Sequence, residues 1–72
     1  MTRTDQQLLA EIVARCPQHA QTVTAAFLAA LTITPTAKVD EALERLRGER
    51  LVTRSEAGWA PTDAGRAAVQ DG

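Results

Sequence analysis

Four apolar residues set at one helical spacing constrain this chain more than any other feature in it. Val39, Ala42, Leu43 and Leu46 recur at i, i+3, i+4 and i+7, the signature of a helix with one buried face. Thr34 and Pro35 stand just ahead of them. Proline at the first helical position loses no needed hydrogen bond and has its φ preset, and a threonine before it can cap. The spacing predicts a helix over about 35–48, capped by Thr34, with Lys38, Asp40, Glu41, Glu44, Arg45 and Arg47 on its outer face. Such a stripe must be covered. In a chain of 72 residues one domain, 1–72, has to supply the cover, and a domain of that size buries only ~60% of its unfolded surface. The lone Cys16 permits no disulfide within the chain, so packing alone must hold it, as expected in a reducing compartment.

The rest of the sequence supplies partners for that helix. A first helix is expected from Asp5 to Cys16, with Thr4 as N-cap and Gln7 completing a capping box. Its inner face is Leu8, Leu9, Ile12, Val13 and Cys16, with Glu11 and Arg15 paired outside. Pro17 ends it, and Pro17–Gln21 reads as a loop. A second helix is expected from Val23 to Leu31, capped by Thr22, burying Val23, Phe27, Ala30 and Leu31, with alanines 25, 26 and 29 on its slim side. Thr32-Ile33-Thr34 then forms a three-residue turn whose Ile33 plugs the helix junction. Beyond the third helix, Leu51–Arg54 and Trp59–Pro61 read as two short strands around a Ser55–Gly58 turn, with Trp59 as the apolar anchor. Thr62 caps a last helix from Asp63 to about Val69, weakened by Gly65 by ~1 kcal/mol relative to alanine, and residues 70–72 are expected to fray. The expected class is mainly α with a small β-hairpin.

Composition removes several functions. The longest apolar run, Ala25–Leu31, is far short of the ~20 residues that cross a bilayer. Met1–Asp5 shows no apolar stretch behind a basic start, so a cytoplasmic protein is expected. Cys16 and His19 lie three apart with no further Cys or His, too few for a metal; a buried thiol and an exposed imidazole fit better. The glycines 48, 58, 65 and 72 are isolated and form no phosphate loop. The carboxylates show no paired arrangement. So short a chain is also expected to offer no cleft of the ~300 Å³ scale that small ligands need. Neither catalysis nor a cofactor nor a small-molecule site is expected.

One resemblance runs through the middle of the chain. Thr22–Leu31, the turn Thr32-Ile33-Thr34, the stretch Pro35–Val39, then Ala42-Leu43-Glu44-Arg45-Leu46 and Leu51-Val52 stand in the order of a winged helix-turn-helix. Trp59–Arg66 resembles the segment following the wing in MarR-like bacterial regulators. The resemblance covers about two-thirds of the chain. It implies a three-helix core with a wing and a short C-terminal helix, binding double-stranded DNA as a sequence-specific transcriptional regulator. The third helix (35–48) would enter the major groove and the hairpin 51–61 would serve as the wing. The implied contacts are Thr34, Thr36, Ala37, Lys38, Glu41, Arg45, Arg47 and Arg54. Lys38 suits guanine, Glu41 a cytosine amino group, and the arginines suit phosphates. A homodimer, or a partner protein, would raise the affinity of so small a module, with the first helix and Ala64–Val69 as contact surfaces. Alanine- and arginine-rich usage points to a GC-rich bacterial or phage source.

Two departures stand out. Arg50 occupies the position where glycine ends the third helix in that family, so either the helix stops at Gly48 or Arg50 takes a left-handed conformation. The charge is also unusual for a DNA binder. The whole chain carries −1, and Lys38, Arg45, Arg47, Arg50 and Arg54 are balanced by Asp40, Glu41, Glu44, Glu49 and Glu56. DNA binding rests on phosphate neutralisation, so an adaptor that docks a protein without touching DNA is the alternative.

Overall fold

A computed structural model describes residues 2–18 and 21–71. Helix α1 spans Arg3–Arg15. Its cap is Thr2, whose hydroxyl accepts the Asp5 N–H at 3.1 Å, and not Thr4. The pattern Thr2-x-x-Asp5 serves the same purpose as Thr4-x-x-Gln7, and starting two residues earlier brings Asp5 onto the inner face with Leu8, Leu9 and Ile12. Cys16 closes the helix and is fully buried, and burial pushes its thiol pKa up. Glu11 and Arg15 pair at 3.7 Å as expected. His19 and Ala20, within the expected loop, lie outside the described residues.

Helix α2 begins two residues later than its sequence suggested, spanning Ala25–Thr32, with the Thr24 hydroxyl accepting the Phe27 N–H at 3.0 Å. Val23 does not belong to it. The backbone of Val23 is committed to Trp59, donating to its carbonyl at 2.8 Å and accepting its N–H at 2.7 Å. The buried face also differs. Leu28 and Ala29 point inward, while Phe27 and Leu31 are 46% and 37% exposed and Ala30 lies outside. Apolar residues surround this helix, so no polar face marks which side turns to solvent.

The connection to the next helix uses Ile33 in the left-handed region (φ 53°), with the Thr34 N–H bonded to the Ala29 carbonyl at 3.0 Å. This closure satisfies the last carbonyls of α2 and throws the Ile33 side chain outward. It is 92% exposed and plugs nothing.

Helix α3 runs Thr36–Gly48, and all four stripe residues are buried. The expected Thr34 cap is absent, because the Thr34 hydroxyl accepts from Thr32 Oγ1 at 3.0 Å and donates to the Thr32 carbonyl at 3.2 Å. The Pro35 carbonyl opens the helix, accepting from Lys38 and Val39. At the far end both alternatives for Arg50 hold together. The helix stops at Gly48 and Arg50 is left-handed (φ 63°), with Arg50 N–H on the Arg47 carbonyl and Leu51 N–H on the Leu46 carbonyl. These paired bonds form a Schellman closure.

Strands β1 (Val52–Ser55) and β2 (Gly58–Pro61) pair antiparallel, with Val52 opposite Pro61 and Arg54 opposite Trp59. Val23 adds its single bridge on the outer side of β2. Gly58 (φ 141°) allows that approach, since a Cβ there would meet the Val23 carbonyl oxygen at 2.6 Å.

Helix α4 spans Asp63–Asp71, two residues past its expected end; Gly72 lies outside the described residues. Thr62 caps it as expected, accepting the Gly65 N–H at 3.0 Å while donating to the Arg50 carbonyl at 2.7 Å. Gly65 is here for space. A Cβ would sit 2.1 Å from the Leu51 carbonyl oxygen, so the propensity loss is accepted for contact. Ala68 and Val69 pack on the core that α1 shares, which occupies the apolar surfaces read from sequence as dimer contacts. The molecule is thus mainly helical, with one small antiparallel hairpin. Among the described residues, no helix is long and apolar enough to cross a membrane.

Candidate nucleic-acid interface

The stripe of α3 faces inward, so its other residues are turned out. Thr36, Ala37 and Lys38, the leading turn, are all exposed. Ala37, Glu41, Glu44 and Gly48 form the outermost ridge, directly opposite the stripe at 100° per residue. Two flanks of different chemistry run beside that ridge.

The α1 flank gathers Lys38, Glu41 and Arg45 with Thr34, Thr2 and Thr4 around one shallow hollow. Here sequence reasoning missed the decisive partner. Arg45 forms a two-pronged pair with Asp5, Nε to Oδ2 at 3.1 Å and Nη2 to Oδ1 at 2.8 Å. Asp5 is only 2% exposed. The Arg45 hydrogen bonds hold its carboxyl below the usual carboxylate range; burial opposes this and Thr2 assists. An arginine neutralising a buried carboxylate cannot be withdrawn without leaving that charge unpaired, so Arg45 serves first to tie α3 to α1. Lys38 makes no ion pair among the described residues, leaving it the cation on this flank whose charge is uncommitted. The signal for Asp5 was in the sequence: residues 5, 8, 9 and 12 share one helical face, and an acid on an apolar stripe demands a partner.

The hairpin flank is a groove of about 460 Å³ between α3, the start of α2 and the hairpin. A hollow of small-ligand size therefore exists, contrary to expectation, because the two-residue hairpin tip, Glu56-Ala57, stands off from α3. Asp40, Glu44 and Glu56 line it, with Arg54. Arg54 lies over the Trp59 ring, 5.6 Å from its centroid, and Arg47 reaches Glu44 at 3.4 Å. Trp59 itself is buried, as expected.

The eight expected contact residues are thus not one surface. Thr36, Ala37 and Lys38 are exposed together. Glu41 sits on the ridge, Arg45 and Thr34 have internal partners, and Arg47 and Arg54 belong to the acidic groove. Among the described residues, no cluster of His, Cys, Asp and Glu suits a metal ion. Comparison with protein-family models, curated proteins and solved structures finds no match to this chain.

Proposed function

We propose that the chain is a winged helix-turn-helix protein that binds double-stranded DNA as a regulator of transcription, with α3 in the major groove. The element order, with Val23 as a rudimentary strand against Trp59, supports that assignment. The observation that carries the function is the open leading turn of α3. Thr36, Ala37 and Lys38 are exposed, and Lys38 retains an uncommitted charge beside threonine hydroxyls at positions 2 and 4. Lys38 contacts a base or phosphate, Thr36 a phosphate. Arg45 acts as a positioning residue. With few free cations, one copy neutralises few phosphates, and its affinity is modest with a shallow salt slope.

The test is a polarisation titration against mixed-sequence duplexes at several salt concentrations. Binding that weakens with salt, with a slope reduced by about 1 in Lys38→Ala, is expected. No binding at low salt would refute the reading.

One observation favours a second reading, protein docking without DNA. Asp40, Glu44 and Glu56 along the α3–hairpin groove would repel a phosphate backbone and suit a basic segment of a partner. A groove-filling basic peptide that shifts Trp59 fluorescence, with no duplex binding, would establish it.

A further inference from the structure

Residues 16–37 contain no Asp, Glu, Lys or Arg, and they include all of α2. Apart from the ends of that stretch, the surface it forms is apolar. Phe27 and Leu31 stand one turn apart as a ridge, flanked by the exposed alanines 26 and 30 and followed by Ile33. These are the exposed large apolar side chains among the described residues. A helix apolar on all sides is normally enclosed on all sides. Here α1, α3 and the hairpin leave one side of α2 open.

We infer that this open face of α2 is a self-association surface, and that its occupant is a second copy of the chain. Shape and charge both argue for a copy. The face carries one large-residue row, Phe27–Leu31, and one small-residue row, Ala26–Ala30, side by side. A two-fold axis running roughly along α2 sets each copy's ridge over the other's alanine row, which is ridge-into-groove packing. An isologous contact brings every residue near its own symmetry mate, so a charged patch would repel itself. This face has no charge to repel. The acidic groove and the Lys38 flank lie on other sides of the molecule and stay outside the contact. Ile33, forced outward by its left-handed backbone, extends the ridge past the helix end.

The face is small. A stable dimer covers about 800 Å² per partner, roughly a sixth of the 4659 Å² this chain exposes. One eight-residue helix and a turn fall short of that, so association is weak, with a dissociation constant on the order of 10–1000 μM.

Sedimentation equilibrium of the DNA-free protein, from about 10 μM to about 1 mM, tests this independently of DNA binding. The wild-type mass is expected to rise with concentration from 7.7 kDa towards twice that. In the double variant Phe27→Glu, Leu31→Glu the dissociation constant should rise at least ~10-fold, with an unchanged circular-dichroism spectrum. If that variant fails to fold, Ile33→Asp, which suits left-handed backbone, gives the same reading through like-charge repulsion. A wild type that stays monomeric throughout overturns the inference. So does a dimer that persists in the folded double variant or in Ile33→Asp, since the contact then lies elsewhere.

Discussion

Helices α2 and α3 are neighbours joined by a tight turn, yet they relate to the rest of the molecule in opposite ways. α3 has one apolar face, fully covered, and a charged face that is largely satisfied from within. Asp5 holds it to α1 through Arg45, and the Arg50 closure with Thr62 ties down its far end. α2 is apolar on every side, covered on one, and open on the other. A sequence can announce a buried face only by contrast with a polar one. The two helices also offer different things to partners: α3 a mixed-charge ridge led by Lys38, and α2 an uncharged apolar surface.

The contrast is tested most severely by truncation. Leu43→Ala should cost ~2–5 kcal/mol, because Leu43 is fully buried and the site cannot collapse. Phe27→Ala should cost no more than about 1 kcal/mol of monomer stability, because much of the ring is already in water. Equal costs in chemical denaturation would mean that α2 is enclosed after all. Next in size is Gly65→Ala, which drives a Cβ into the Leu51 carbonyl behind α3 and should cost ~2–3 kcal/mol despite alanine's better helix propensity. A neutral result would mean that the α3–β1 connection yields easily.

The Asp5 clamp comes third. Asp5→Ala should destabilise by about 1–2 kcal/mol at neutral pH. The folded-state pKa of Asp5 lies below its unfolded value, so its contribution is complete above the unfolded value and is lost as pH falls through the folded one. Wild type should therefore lose stability below about pH 4 more steeply than Asp5→Ala. Parallel acid profiles would remove the clamp from the account. The smallest effect is a gain. Ile33→Gly should raise the melting temperature slightly, by relieving ~0.5–1 kcal/mol of left-handed strain in a side chain that packs on little. A loss would show that Ile33 packs within the monomer.

Legibility followed the same divide. The α3 stripe, the α1 face, the hairpin, Trp59 as anchor and the Thr62 cap could all be read, because each depends on local spacing or a turn residue. The face of α2 could not, since nothing along it is polar, and Ile33 was misplaced because apolar character alone suggested a plug. Val23 was drawn into α2 because a single bridge to Trp59, 36 residues away, leaves no local pattern. The candidate site was half legible. The leading turn Thr36–Lys38 emerged from the Thr34-Pro35 signal, whereas the commitment of Arg45 to Asp5 joins residues 40 apart.

The most direct test of the central claim is an amide-resolved NMR titration of the protein with a short duplex at low salt. The account predicts shifts concentrated at Thr36, Ala37 and Lys38 and weaker ones at the hairpin tip, with Phe27, Ala30 and Leu31 unmoved at protein concentrations below self-association. An unchanged spectrum, or shifts confined to the α2 face, would contradict it.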